Sequence, residues 1–270
     1  MRGSKFFNKK VVIITGSSRG LGRATAYALA EAGALIVLNG RNIERLEQTR
    51  KEMKKKGHQV LSIPGDVTSP EDSRNLIEKA RAQTGRIDVL INNAGTIMRA
   101  GFEEIKPDIF RKVIEGNILG SAYPSMFALP HLKQTGGSVF FISSLAGLHG
   151  MPAASAYSAA KMALTGLVES IRIELTGTGV HAGIIYVGFV ENDPDKRVYS
   201  ADGSLIQVDP PFQSPQKKVA RSIMKCIAKK KYKTALSIPG KLARTGFRLA
   251  PGLADFLLKF SYKNIPKFYR

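Results

Sequence analysis

At 270 residues, 43% apolar and 23% charged, the chain is long enough for one large globular domain with a sizeable core. Cys226 is its sole cysteine, which excludes an intramolecular disulfide and favours a reducing compartment, and no run of about 18 uncharged apolar residues reads as a membrane span. The 41 basic against 21 acidic residues give a formal +20, unevenly spread: residues 211–270 carry 15 Lys or Arg and one acid, Asp255, a net +14 that fits an acidic partner, an anionic membrane surface or plain solubility.

Arg2, Lys5, Lys9 and Lys10 interrupt the opening segment, so no secretory leader is expected and a cytoplasmic protein is. The first strand reads V-V-I-I-T (11–15). The loop T-G-S-S-R-G-L-G (15–22) follows it and opens a helix near Leu21. Its glycines, Gly16, Gly20 and Gly22, allow a tight turn and let a pyrophosphate approach the helix N-terminus. Because the loop lies between a predicted strand and a predicted helix, Gly16, Ser18, Arg19, Gly20, Leu21 and Gly22 form a candidate dinucleotide-binding set. The second strand, L-I-V-L-N (35–39), ends in Asn39-Gly40-Arg41-Asn42, where an acid would hold ribose hydroxyls. Arg41, with Arg19, instead suits a 2′-phosphate, so NADP(H) is preferred over NAD(H).

Further strands are predicted at V-L-S-I (60–63), D-V-L-I-N (88–92), S-V-F-F-I-S (138–143), A-G-I-I-Y-V (182–187) and A-L-S-I (235–238). Helices start near Glu44, Pro70, Pro107, Ala154 and Pro215. Continuous Val, Ile and Leu runs alternating with helices imply a doubly wound, three-layer Rossmann-like α/β domain of about seven parallel strands. A single domain spans 1–270, with a core at 8–238. The proline-rich segment 191–215 is read as a lid after a strand's carboxyl end. In A-Y-S-A-A-K, Tyr157 precedes Lys161 by one helical turn, a spacing shared by solvated surface pairs. The four histidines show no metal spacing, His149 is read as structural, and no metal is expected. Beyond residue 240, Leu253, Phe256, Leu257 and Phe260 repeat at helical spacing among Lys259, Lys263, Lys267 and Arg270. That basic amphipathic extension is expected to pack near the lid or at a dimer interface, with basic side chains outward.

Taken in order, T-G-x-x-x-G-x-G, Asp66-Val67, N-N-A-G (92–95), Asn117, Ser144 and Tyr157-x-x-x-Lys161 resemble the short-chain dehydrogenase/reductase family over residues 8–238. The resemblance implies a nicotinamide cofactor and hydride transfer between a ketone and an alcohol. It implies Tyr157 as general acid and base, Lys161 tuning it and holding ribose hydroxyls, Ser144 binding the reacting oxygen, and the Asn117 carbonyl anchoring a proton path. It also assigns Asp66 and Val67 to the adenine and Asn93, Ala94 and Gly95 to the adenosine and ribose. Two nearby cations, the Lys161 ammonium and the nicotinamide, are expected to lower the Tyr157 pKa by about three units from about 10. The sequence departs from the family at V-G-F-V-E-N (187–192), where Val187 replaces a proline and Asn192, after Val190, replaces a carboxamide-binding threonine.

The reading is an NADPH-dependent ketone reductase or alcohol dehydrogenase for a bulky, lipophilic substrate, steroid-like or long-chain, acting as a homodimer or homotetramer. Alternatives are a 3-oxoacyl carrier-protein reductase and a non-catalytic cofactor-binding protein docking to membranes or acidic partners. Peripheral contact with an anionic membrane surface follows from the basic tail, and nucleic-acid binding is disfavoured because no aromatic–basic recognition motif is present.

Overall fold

Consecutive strand residues point to opposite faces, so a run such as V-V-I-I is buried only where both faces of the sheet are covered. The computed structural model describes residues 2–208 and 213–264 and has that arrangement. Val12 and Ile14 face one layer, with Leu29, Leu46 and Ile223, while Val11 and Ile13 face the other, with Leu76, Leu132 and Leu164.

The strands are β1 (Val11–Ile14), β2 (Leu35–Gly40), β3 (Val60–Pro64), β4 (Val89–Asn92), β5 (Ser138–Ser144), β6 (His181–Val187), the short pair β7 (Val198–Tyr199) and β8 (Leu205–Ile206), and β9 (Lys233–Ala235). The helices are α1 (Arg2–Phe7), α2 (Gly20–Ala30), α3 (Ile43–Lys55), α4 (Pro70–Thr84), α5 (Pro107–Asn117), α6 (Leu119–Thr135), α7 (Ser155–Glu174), α8 (Gln216–Ala228), α9 (Ile238–Leu249) and α10 (Pro251–Asn264). A seven-stranded parallel sheet runs β3-β2-β1-β4-β5-β6-β9. Helices α1, α2, α3 and α8 cover one face; α4, α6 and α7 cover the other. Strand order reverses between β1 and β4, which opens a crevice at their carboxyl ends.

Local chemistry marks many helix starts. Asn42 caps α3 by accepting from the Arg45 N–H at 2.7 Å; Ser69 caps α4 by accepting from Asp72, with Pro70 in the first turn.

Five features differ from the sequence reading. The long helix expected after Pro107 is two helices, jointed at Ile118. The last strand is Lys233–Ala235 rather than 235–238, because the Ser237 side chain caps α9, accepting from the Gly240 N–H at 3.1 Å. The tail is likewise two helices, since Ala250 precedes Pro251 and takes a non-helical backbone (φ −138°, ψ 66°). The folded core begins before residue 8: Phe7 of α1 is fully buried against α2 and the sheet.

The fifth is the 191–215 segment, which is tied down over its described part. The Tyr199 N–H donates to the Ile97 carbonyl (3.0 Å), Arg99 N–H to Tyr199 (2.8 Å) and Lys106 N–H to Ala201 (3.1 Å). Pro210 and Pro211 of that segment, and Lys267 and Arg270 of the tail, lie outside the described residues. No helix among the described residues is long and apolar enough to cross a membrane.

Candidate active site

The glycine loop lies where β1 meets α2. Gly16 has a left-handed backbone (φ 62°), and a Cβ there would sit 2.9 Å from the Ala94 Cα. A Cβ on Gly22 would lie 2.3 Å from the Gly16 carbonyl oxygen. Neither position tolerates a side chain, so the loop stays bare and flat. Asn93 holds it in shape: its Nδ2 donates to the carbonyls of Thr15 and Gly16, both at 3.0 Å. The N–H groups of Asn93 and Ala94 both donate to Thr15 Oγ1 at 3.0 Å. Leu21 anchors the loop in the core, and Ser18 lies beside Gly40 with its carbonyl accepting from Thr49 Oγ1. The Gly20 N–H, at the head of α2, donates to a carboxylate oxygen of Asp193 at 2.7 Å, so the loop already holds an anion. A helix N-terminus behind a bare glycine loop that accepts one anion in this way fits the phosphates of a dinucleotide.

At the carboxyl ends of β2 and β3, Arg41 and Asp66 come together, with Val67 following Asp66 in the chain. Arg41 pairs with Asp66 at 3.4 Å, and Asp66 accepts from the backbone and hydroxyl of Thr68. Burial would raise the Asp66 pKa, but these bonds and the Arg41 charge hold it below its ordinary value. Val67 is buried beneath Gly120. Asn39 departs from the expectation. It is 1% exposed, and its amide donates to the carbonyls of Ile63 and Gly65, joining β2 to the end of β3 instead of facing the crevice. Arg19 pairs with Asp195 at 3.6 Å, and Arg45, which the sequence reading missed, pairs with the same carboxylate at 2.6 Å. Arg45 was legible: it follows Arg41 by four residues, within the first turn of α3.

Ser144 closes β5. Its Oγ accepts from the Ala146 N–H at 3.2 Å, and it lies near enough to the Tyr157 phenol to favour the ionised form. Ser143, its neighbour, is 3% exposed and donates to the Lys161 carbonyl, so strand alternation leaves Ser144 to the crevice. Lys161 lies one turn beyond Tyr157 with its Nζ 5.7 Å from the ring centre and 3.0 Å from the Ile142 carbonyl, to which it donates. Burial lowers its pKa to about 8.

The expected depression of the Tyr157 pKa is not found in the cofactor-free protein. Burial pushes it above its ordinary value, and nearby Ser144 and the charge of Arg99 pull the other way without prevailing. No sequence signal pointed to Arg99.

A Cβ on Gly95 would lie 2.6 Å from Asn117 Oδ1 and 3.4 Å from Lys161 Nζ, so this glycine makes room for both. Asn117 is fully buried. Its Nδ2 donates to Thr96 and Val113, while its Oδ1 has no hydrogen-bond partner. Its backbone carbonyl accepts from Ser121 Oγ at 2.8 Å and keeps a second lone pair. Beside Tyr157, Met98, Val113 and Ala156 are buried with Phe110 and Tyr199 against them, forming an apolar wall.

Val190 bridges to Ser214, and Asn192 is engaged within the 191–215 segment: its Nδ2 donates to the Val208 carbonyl at 2.8 Å. His149, read as structural, meets Phe247 of α9 edge-on with ring centres 4.6 Å apart.

A family model described as short chain dehydrogenase matches residues 10–202. The 11-beta-hydroxysteroid dehydrogenase 1A of Arabidopsis thaliana is 38% identical over 201 residues, which is 73% of this chain and 57% of that protein. The chain thus spans little more than half the length of such relatives. Among solved structures, a short chain dehydrogenase/reductase from Burkholderia phymatum in complex with NAD has a TM-score of 0.79 at 23% identity, over 94% of this chain and 96% of that one. An alcohol dehydrogenase from the archaeon Thermococcus sibiricus, complexed with 5-hydroxy-NADP, has a TM-score of 0.74 at 28% identity, over 84% and 96% of the two chains. Sequence and overall fold agree with these relatives, and the chain belongs to the short-chain dehydrogenase/reductase family, whose members are oxidoreductases acting on CH–OH groups.

Proposed function

We propose that the protein is an NADPH-dependent oxidoreductase interconverting a ketone and a secondary alcohol on a bulky, lipophilic substrate, with Tyr157 as general acid and base. The observation that carries this reading is the grouping of Ser144, Tyr157 and a buried Lys161 one helical turn from the phenol, at the same sheet edge as the bare glycine loop. A bound nicotinamide supplies or accepts the hydride. Tyr157 gives the substrate oxygen its proton in reduction and takes it back in oxidation, and Ser144 donates a hydrogen bond to that oxygen as charge develops. Burial holds the phenol's pKa above its ordinary value. Lys161, with Asn117 beside it, holds the ribose hydroxyls and hands the proton on. Asp66 and Val67 hold the adenine, while Gly16, Ser18, Gly20, Leu21, Gly22, Asn93, Ala94 and Gly95 shape the phosphate and ribose path. Val190 and Asn192 flank the carboxamide.

The apolar wall of Met98, Val113, Ala156 and Tyr199 supports a lipophilic substrate, and the steroid dehydrogenase name of the Arabidopsis relative is consistent with one. A panel of steroid and long-chain ketones, with a 3-oxoacyl thioester for the carrier-protein alternative, tests the reading with NADPH and NADH. Tyr157→Phe is expected to lose at least about a hundredfold in turnover, the scale of general acid catalysis, while still binding NADPH. Comparable turnover in that variant removes Tyr157 from the role.

The cofactor preference rests on Arg19, Arg41 and Arg45 gathered near the end of β2, with no acid at 39–42. A hydrogen bond to a charged group is worth about 1.5–3 kcal/mol, so replacing Arg19 and Arg41 by Ala should lower NADPH-over-NADH discrimination at least about tenfold. Equal affinity of the wild type for both cofactors sinks the arginine argument.

A homodimer or homotetramer belongs to the same reading. So does peripheral docking on an anionic membrane, favoured by one observation: Leu253, Phe256, Leu257 and Phe260 of α10 are 60%, 62%, 54% and 59% exposed beside Lys259 and Lys263.

A further inference from the structure

The lid segment reaches across the crevice and inserts an acid at the head of α2. Asp193 Oδ2 accepts from the Gly20 N–H at 2.7 Å, and Oδ1 accepts from Gln216 Nε2 at 2.8 Å and lies 3.9 Å from an Arg23 guanidinium nitrogen. Two residues on, Asp195 pairs with Arg45 and Arg19. The Lys196 N–H donates to the Asp193 carbonyl at 2.9 Å, and the Lys196 ammonium, partly buried, feels both Arg19 and Asp193. Four cationic side chains therefore surround two carboxylates, leaving an excess of positive charge for a ligand of higher charge. The Gly20 N–H can serve one anion at a time, and the first N–H groups of a helix that follows a glycine loop are where a dinucleotide's phosphates seat.

We infer that Asp193 is a built-in competitor for the cofactor's pyrophosphate, a latch that fastens the lid over the empty loop and must be displaced before a dinucleotide binds. The inference rests on the cofactor reading proposed above. Apparent affinity is the intrinsic affinity reduced by the fraction of protein that is unlatched, so the latch weakens cofactor binding and links it to the lid. The lid carries Tyr199, which packs on the wall around Tyr157, so release at Asp193 is transmitted to the substrate side. The Asp193 carboxyl stays ionised: burial alone would raise its pKa, but the bonds from Gln216 and Gly20 and the charges of Arg23 and Arg19 hold it down.

Asp193→Asn keeps the shape and removes the charge. Calorimetric titration of the full chain with inorganic pyrophosphate and with NADPH should show both binding about tenfold tighter to D193N than to wild type. Asp202→Asn, which alters an exposed lid acid bonded to Ser204, should change neither. Thermal melts confirm that the variants fold. In the wild type itself, saturating pyrophosphate should speed tryptic cleavage after Lys196 and Arg197, a readout that needs no variant. Equal or weaker binding by D193N, or protection of those bonds by pyrophosphate, overturns the latch. If pyrophosphate binding tightens as expected while NADPH fails to bind either protein, the cofactor reading falls and the latch stands as an anion gate. If NADPH binds both equally, only the latch falls.

Discussion

Two buried charges show how differently this chain treats fold and chemistry at the residue scale. Asp88 is 2% exposed and satisfied, with Arg86 at 2.7 Å, Lys10 at 2.9 Å and the Val11 N–H at 3.0 Å. Burial pushes its pKa up, yet these partners prevail and hold it below the ordinary value. Its stabilising effect is present above the unfolded carboxyl pKa and is lost as pH falls through the folded one. Lys161 is 4% exposed, its ammonium donates to the Ile142 carbonyl, and burial lowers its pKa to about 8. Set against an ordinary lysine near 10.4, that is about 3 kcal/mol of cost at 1.36 kcal/mol per unit. The folded state releases this proton before the unfolded chain does, so the cost is full below pH 8 and is relieved between pH 8 and about 10.4. Lys161→Met should therefore be more stable than the cofactor-free wild type at pH 7 by about 1–3 kcal/mol, the orphaned Ile142 carbonyl offsetting part of the gain. The advantage should narrow toward pH 10 while turnover collapses. Denaturant melts at both pH values check it, and a variant that is less stable at pH 7 contradicts it. A stability penalty restored by an inactivating substitution marks Lys161 as kept for chemistry.

At the scale of elements, legibility followed how local the deciding physics was. The strands were plain, because V-V-I-I, L-I-V-L and V-F-F-I admit no half-exposed sheet, and β1, β2, β5 and β6 fall within a residue or so of their expected places. The start of α4 was marked by Ser69 and Pro70, and that of α3 by Asn42. The joint at Ile118 was not marked. It depends on the Asn117 amide reaching Thr96 across the crevice, a contact separated by 21 residues. Local periodicity also missed α1, whose two phenylalanines, Phe6 and Phe7, stack edge-on at 4.9 Å and bury only because α2 and α8 lie nearby. Motif spacing singled out Ser144, Tyr157 and Lys161, which the fold brings to one sheet edge, but the contacts of Arg99 and Asp193 arise from the return of residues 191–208 over that edge. Asn39 escaped local reading because its amide is claimed by Ile63 and Gly65, on the neighbouring strand and just beyond it.

Over the whole molecule, charge and apolar surface meet at the carboxyl-terminal end. Helix α9 packs at the crevice, where a Cβ on Gly240 would lie 2.7 Å from Leu145 Cδ2, next to Ser144. Helix α10 turns Leu258 and Tyr262 toward a groove of about 530 Å³ that Met151, Pro152 and Met162 also line. Its opposite face carries Leu253, Phe256, Leu257 and Phe260, so within the chain the expected burial of that stripe against the domain does not occur. Leaving four such side chains in water forgoes about 1.5–3 kcal/mol each, and a contiguous apolar patch of this kind marks an interaction surface. Lys241, Arg244, Lys259 and Lys263 lie on the same two helices, and each basic residue near an anionic bilayer adds about 1 kcal/mol. The full chain should therefore sediment with anionic vesicles and poorly with neutral ones, and raising salt should weaken the association, because screening acts on the charges and leaves the apolar contribution intact. Replacing Phe256 and Phe260 by Glu removes apolar contact and adds like charge to the membrane's. Since both residues are exposed, the melt should be unchanged while vesicle affinity falls at least about tenfold. Equal binding to neutral and anionic vesicles, or none to either, leaves the +14 of residues 211–270 as a solubility feature. If the double variant instead halves the mass in sedimentation equilibrium, the stripe is a subunit interface and the membrane reading is wrong.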